Sequence, residues 1–361
     1  MIHLIGLPHT PFDDVQASSC AFTAKAVRLA KMFQMIGRDT TVYWGGSVTS
    51  IDIPFVSVLS DSEQQKYFGV YSNDNLPQIS WDWNIPYWQT FNMRVIQHLK
   101  RNLRPGDTIA LVGGAIHQQI VDAFPGYRCI EPGVGYEGIC NNTFACFESY
   151  AWMHNRYGAY GIGDGRAFDA VIPNAIDPND FEHGESHGYA LFVGRLIQRK
   201  GPNVAGEIAT RAGLPLKMAG AGVGYSEPGK IVATDGTTIF GDVEHVGSVT
   251  GEVRKALYAH AEVMLVPTLY IGPWEGVHAE ALASGVQVVA PDYGVFTETI
   301  EPQFRYRTLG GAVEAVNRAR SVRSPVLRER TLKRYSLEKC ASMYEEWLGR
   351  LDLLDGAGWY S

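Results

Sequence analysis

Phe192-Val-Gly194-Arg195-Leu-Ile-Gln-Arg199-Lys200-Gly201 is the stretch from which the fold can be read. A short apolar run stops at a glycine, a turn carries three cations, and a second glycine precedes the periodic apolar residues of Pro202 to Ala212. This is strand, loop, helix. Such a loop suits an anion that needs close backbone approach and neutralisation by cations; a solvated basic loop suits the same residues equally.

The same grammar continues downstream. Pro215-Leu-Lys-Met-Ala219 reads as a strand, Thr250 to His260 as a helix, Val263-Met-Leu-Val-Pro267 as a strand, the region around Ala279 to Ser284 as a helix, and Val286-Gln-Val-Val-Ala290 as a strand. Upstream, Ile2-His-Leu-Ile-Gly6 opens a strand, Ala21 to Ile36 a helix, Asp39 to Trp44 a β-rich segment, Trp88 to Leu103 a helix and Asp107 to Val112 a buried strand. Residues 52 to 84 are irregular and aromatic. Strands alternating with helices predict parallel, doubly wound sheets, and hence an α/β protein. A polar connector at Asp177 to His187 divides the chain into domains at 1–180 and 181–335. Residues 336–361 hold a last amphipathic helix, with Met343, Tyr344, Trp347 and Leu351 on one side, which caps the second domain or packs back on the first.

Composition narrows the functional classes. The 361 residues are 45% hydrophobic, ample for two cores, and 38 acidic against 31 basic side chains leave a net charge of −7. A globally basic nucleic-acid binder is thereby disfavoured. No apolar run reaches the roughly 18 residues of a spanning helix, and Met1 to Pro8 lacks the features of a signal peptide, so a cytoplasmic protein is expected. The cysteines, Cys20, Cys129, Cys140, Cys146 and Cys340, show no metal-ligand spacing and read as buried free thiols.

Two further motifs carry chemistry. Gly220-Ala-Gly222-Val-Gly224 follows a strand; alone it is a plain turn, and it is not the G-x-G-x-x-G of a dinucleotide fold. Pro267-Thr-Leu-Tyr-Ile-Gly272-Pro-Trp-Glu275-Gly276-Val-His278-Ala-Glu280 runs from a strand through a Gly/Pro loop into a short helix, whose first turn is expected to hold Glu280. The helix dipole favours a carboxylate there.

Taken in order, Ile172-Pro-Asn174, Val193-Gly194-Arg195 with Lys200-Gly201, Gly220-Ala-Gly222, Gly241-Asp-Val, Pro267-Thr with Glu280-Ala, and Asp292-Tyr-Gly with Glu298 resemble the donor-binding domain of GT-B glycosyltransferases. The likeness is to the retaining family four, and it covers about residues 172 to 300. It implies two Rossmann-like domains facing a cleft and a nucleotide-sugar donor as co-substrate, a UDP-sugar being favoured. It also implies transfer to an unidentified hydroxyl acceptor with retention, without cofactor or metal. A sugar-nucleotide binder of impaired activity and a nucleotide-dependent oxidoreductase are the alternatives.

The resemblance assigns Arg195 and Lys200 to the donor diphosphate and Glu280 to the ribose hydroxyls. Gly194, Gly220, Gly276 and Val277 would approach the donor through their backbones. One departure stands out. The family pattern has a glutamate eight positions before Glu280, and here that position is Gly272. Glu275, on the same loop, either restores the carboxylate beside the sugar or is an exposed loop residue. In the first domain His117, in Gly113-Gly-Ala-Ile-His117, and Glu131, in Glu131-Pro-Gly-Val-Gly135-Tyr136, follow strands and are further catalytic candidates. Thr23 and Lys25 are candidates for the same face.

Overall fold

The computed structural model describes residues 1–13, 20–47, 51–72, 77 and 79–354. The chain forms two compact units. The first comprises Met1–Glu148, Met153–Ala175 and the chain from Cys340 onward; the second comprises Ser149–Trp152 and Ile176–Lys339.

In the first unit the strands are β1 (Ile2–Ile5), β2 (Thr40–Gly45), β3 (Phe55–Leu59), β4 (Thr108–Leu111), β5 (Arg128–Val134), β6 (Phe144–Phe147) and β7 (Ala170–Val171). They form one parallel sheet in the order β3-β2-β1-β4-β5-β6-β7. The α-helices along this part of the chain are α1 (Ala21–Met35), α2 (Asp61–Phe68), α3 (Pro86–Asn102), α4 (Gln118–Ala123) and α5 (Tyr150–Tyr160). Every residue of β1 and β4 is buried, as expected of central strands covered on both faces.

The second unit contains β8 (Ala190–Val193), α6 (Pro202–Arg211), β9 (Leu216–Ala219), β10 (Val223–Glu227), β11 (Lys230–Ala233), β12 (Thr238–Phe240) and β13 (Val243–His245). There follow α7 (Gly251–Ala259), β14 (Val263–Leu265), α8 (Gly276–Ala283), β15 (Val288–Pro291), α9 (Phe296–Thr299), β16 (Arg305–Tyr306), α10 (Leu309–Arg320) and α11 (Pro325–Tyr335). Its main sheet is parallel, in the order β13-β9-β8-β14-β15-β16. Both units are therefore doubly wound α/β folds of Rossmann-like type. The last helix, α12 (Leu337–Asp352), starts in the second unit. From Cys340 it lies in the first, where Tyr344 meets Phe33 edge to face and Trp347 Nε1 donates to the Phe168 carbonyl at 2.7 Å. Residues 355–361 of the expected C-terminal segment lie outside the described residues.

Two regions depart from the sequence reading. Residues 52 to 84 are not uniformly irregular: β3 and α2 form there. A capping box starts α2, with the Glu63 amide donating to Ser60 Oγ and the Ser60 amide donating to Glu63 Oε2. No residue of α2 is buried, so it has no apolar stripe for periodicity to detect. Likewise, the glycines from 220 to 224 are no plain turn. They lead into an antiparallel sheet, β10-β11-β12, whose hairpins turn at Pro228-Gly229 and Asp235-Gly236.

The five cysteines are free and buried, and all five belong to the first unit.

Candidate functional site

Strand order locates the site in the second unit. From β8 the chain winds outward through β9 to β13, then returns to place β14 on the other side of β8. Loops leaving β8 and β14 at their carboxyl ends thus diverge, and open α/β sheets bind ligands at such a switch point. The loop after β8 holds Gly194, Arg195 and Lys200; the loop after β14 holds residues 266–275 and ends at α8.

The loop after β9 packs directly against the first of these. Gly220 has φ +135°, and an added Cβ would stand 2.1 Å from the Gly194 carbonyl oxygen, so a side chain there is excluded. Gly220 is also fixed by the His245 ring, whose Nε2 donates to its carbonyl at 2.8 Å. Beside this contact the Arg195 side chain is exposed, with no hydrogen bond or ion pair among the described residues.

Lys200 is engaged. Its Nζ donates to Glu275 Oε2 at 2.5 Å, while Tyr270 Oη donates to Glu275 Oε1 at 2.5 Å. Lys200 also lies 5.2 Å, and Arg199 3.7 Å, from the centre of the Tyr270 ring. Burial alone would lower the pKa of the Lys200 ammonium, but the Glu275 carboxylate and Tyr270 raise it more, so it is held above its ordinary value. Burial and the same carboxylate raise Tyr270. The Leu269 amide donates to the Arg199 carbonyl at 2.9 Å, tying the two loops together through their backbones.

Glu275 is not the exposed loop residue of the second sequence reading. It is 9% exposed and adopts φ +60°, ψ +61°, a left-handed conformation unusual for a residue with a side chain. The conformation puts its carbonyl where the His278 amide (3.1 Å) and His278 Nδ1 (2.7 Å) both donate to it, and its carboxylate over Gly272. Non-glycine residues in such conformations persist where the surroundings over-determine them, and they concentrate at functional sites.

Helix α8 begins at Gly276, three residues before Ala279, so Glu280 is the fifth residue of the helix and not part of its first turn. The sequence placed it too close to the helix end because Glu275-Gly276 reads as loop. Glu280 is buried, and its Oε1 lies 3.8 Å from the point where a Cβ on Gly276 would be. Both carboxylates therefore lie along the Gly272–Gly276 segment. Arg254 Nη2 donates to Glu280 Oε1, and Tyr258 Oη donates to Oε2 at 2.7 Å. The amides of Gly276 and Val277, at the start of α8, have no intrahelical acceptor.

Sequence reasoning missed Arg254, Tyr258 and Tyr270. Arg254 and Tyr258 carried a usable signal, since residues four apart on a helix share a face. Tyr270 had no signal beyond its place in the loop.

The remaining candidates belong to the first unit. His117 is fully buried, with its Nδ1 2.8 Å from Asn92 Oδ1 and its Nε2 without a hydrogen-bond partner. Burial lowers its pKa to about 3. Glu131 is also fully buried and accepts from Tyr136 Oη, the Cys140 amide and Thr143 Oγ1 at 2.7–2.9 Å. Burial raises its carboxyl to about 7, against the pull of those donors. Thr23 bonds Thr10 side chain to side chain at 2.5 Å, and Lys25 pairs with Glu148 at 2.9 Å while donating to the Gly133 carbonyl. Among the described residues, no group of three or more His, Cys, Asp or Glu is placed to hold a metal ion, and no helix is long and apolar enough to cross a membrane.

Residues 188–318 match the family model described as glycosyl transferases group 1, a stretch that encloses every donor-side candidate named above. No curated protein matches the chain. Among solved structures, the chain is similar to AviGT4, a glycosyltransferase involved in avilamycin A biosynthesis, at 18% identity and TM-score 0.66, covering 97% of both chains. It is also similar to sucrose-phosphate synthase from Thermosynechococcus elongatus at 16% identity and TM-score 0.66, covering 97% of this chain and 98% of the other. A third similar structure is Anabaena HepE in complex with UDP and glucose, at 13% identity and TM-score 0.61, covering 97% of this chain and all of the other. These likenesses establish the fold, that of GT-B glycosyltransferases.

Proposed function

We propose that this chain is a glycosyltransferase that moves a hexosyl group from a nucleoside-diphosphate sugar, a UDP-sugar being favoured, to a hydroxyl acceptor with retention of configuration. The observation that carries this reading is the pair of buried carboxylates, Glu275 and Glu280, that α8 sets along one glycine-rich segment at the β8/β14 switch point. Glu275 is bound to Lys200.

In this reading the diphosphate lies against Arg195, Lys200 and the amides of Gly276 and Val277. As the glycosidic bond breaks, its electron pair goes to the diphosphate oxygen, and the two cations stabilise the growing negative charge without a metal ion. Lys200 passes from Glu275 in the free protein to the diphosphate in the complex, which leaves the Glu275 carboxylate beside the donor sugar. The acceptor hydroxyl attacks from the side on which the diphosphate departs, and the departing phosphate takes its proton. Glu280 accepts the ribose hydroxyls. His117 and Glu131, enclosed in the first unit, have no part in this scheme. A cytoplasmic location goes with it.

The test is incubation of the purified protein with UDP-, GDP- and ADP-sugars and a panel of hydroxyl acceptors. Nucleotide release is followed, and the anomeric proton of the product identifies its configuration. Acceptor-dependent release with a retained anomer is expected. A panel of donors with no release, or an inverted product, overturns the reading.

A further inference from the structure

Glu280 does not stand alone in its burial. Arg254 and Tyr258, one turn apart on α7, hold one carboxylate oxygen each, the guanidinium on Oε1 and the phenol on Oε2. Two donors on different oxygens fix both the position of the group and the plane in which it lies.

The supports are themselves fixed. The Arg254 guanidinium lies 5.4 Å from the centre of the Phe181 ring, and Phe181 meets Tyr258 edge to face at 5.6 Å. Phe181 and Tyr258 are buried. Burial alone would lower the pKa of Arg254, but Glu280 and Tyr258 hold it above its ordinary value. Burial, then Glu280, keep Tyr258 a neutral donor well above the ordinary range of a phenol. The carboxylate thus has a fixed counter-charge on one oxygen and a fixed neutral donor on the other.

We infer that Arg254 and Tyr258 are positioning residues, which hold the Glu280 carboxylate in the one orientation that receives both vicinal hydroxyls of the donor ribose. The inference rests on the donor reading above and deepens it. A group that must accept two hydroxyls at once depends on its plane as well as its charge, because a rotated carboxylate meets one hydroxyl and misses the other. Loss of either support therefore erodes discrimination for the ribose, beyond any general loss of affinity.

The experiment titrates UDP, ADP and GDP into the intact protein by calorimetry and compares the tightest of them with its 2′,3′-dideoxy form. The wild type is expected to prefer the ribose form by at least about tenfold. Arg254→Lys, which keeps the charge but loses the planar fork, and Tyr258→Phe, which removes one hydroxyl, should each compress that ratio to below about threefold with the fold intact by far-UV spectrum. Arg254→Leu should abolish the preference. Should the variants bind both nucleotides more weakly with the ratio unchanged, or behave as wild type, the positioning role is overturned and the donor reading stands. Tight binding by the wild type with no ribose preference overturns the role of Glu280 and this inference with it. Absence of binding by all three nucleotides overturns the donor reading itself.

Discussion

The Glu275 carboxylate occupies the space that a side chain at Gly272 would take: a Cβ built on Gly272 would stand 2.4 Å from Glu275 Oε1. This chain carries its glutamate three residues after Gly272 and bends it back through a left-handed backbone. A glutamate at 272 and the present Glu275 cannot coexist undisturbed.

Gly272→Glu should therefore destabilise the protein by about 1–3 kcal/mol, the usual cost of overpacking, and lower its transfer rate. Adding Glu275→Gly should recover the stability, because it removes the collision and suits the positive φ of position 275. Thermal unfolding of wild type, single and double variants checks this; a single variant as stable as wild type contradicts it.

Glu275→Gln removes the negative charge that pairs with Lys200. Affinity for a nucleoside diphosphate should rise about three- to tenfold while turnover falls by at least about tenfold, since the charge no longer competes for the ammonium but is lost beside the sugar. Opposite movement of Kd and kcat is the diagnostic result, and parallel loss of both would assign Glu275 to folding alone.

Lys200→Ala and Arg195→Ala should each weaken diphosphate binding and slow transfer by about tenfold or more, because each removes a charge-assisted contact of roughly 1.5–3 kcal/mol. Transfer by the wild type should persist in excess chelator. Unchanged affinity in both variants, or activity lost to EDTA and restored by magnesium or manganese, tells against the cationic site.

Acid sensitivity follows from three buried imidazoles. Burial lowers His117 to about 3, and His9 and His278 to about 4, against an ordinary value of 6.5. Each is neutral in the fold and takes up a proton only on unfolding, so the stability it contributes is complete above pH 6.5 and is lost as the pH falls toward 4. Together they give a slope of about 4 kcal/mol per pH unit between those limits, and Glu131, whose carboxyl burial raises to about 7, opposes it by about 1.4 kcal/mol per pH unit above its ordinary value. Urea unfolding at pH 7.5, 6 and 5 measures it. His278→Gln should lower the slope by about 1.4 kcal/mol per pH unit, and an unchanged slope would mean that the imidazole is not neutral in the fold.

Much of this was legible in the sequence where local pattern and tertiary structure agree. The strands at Val263 and Pro215, the helix from Pro202 and the basic loop around Lys200 announce themselves because apolar periodicity and glycine punctuation act within a few residues. What escaped was set by distance or by the absence of an apolar face. The α2 helix has no buried side, and the β10-β11-β12 sheet announces itself only through the turn pairs Pro228-Gly229 and Asp235-Gly236. The Lys200–Glu275 pair joins residues 75 apart, and the Arg254–Glu280 pair joins residues 26 apart across two helices. No spacing rule connects such pairs, which exist because β8, β14, α7 and α8 are brought together by the parallel sheet. The left-handed conformation of Glu275 is equally silent, since glutamate is not a residue that advertises it.

The confinement of the cysteines to one unit makes the molecule its own reporter. Alkylating reagents react with the exposed thiolate, and burial pushes Cys129 and Cys146 up to about 12 and Cys140 higher still, so each thiol is labelled only when its surroundings open. Mass-resolved labelling thus clocks local opening at Cys20, Cys129, Cys140, Cys146 and Cys340 with no engineered probe, while the second unit, where the nucleotide is proposed to bind, stays chemically silent. A change in any of those five rates on adding nucleotide reports altered local opening within the first unit.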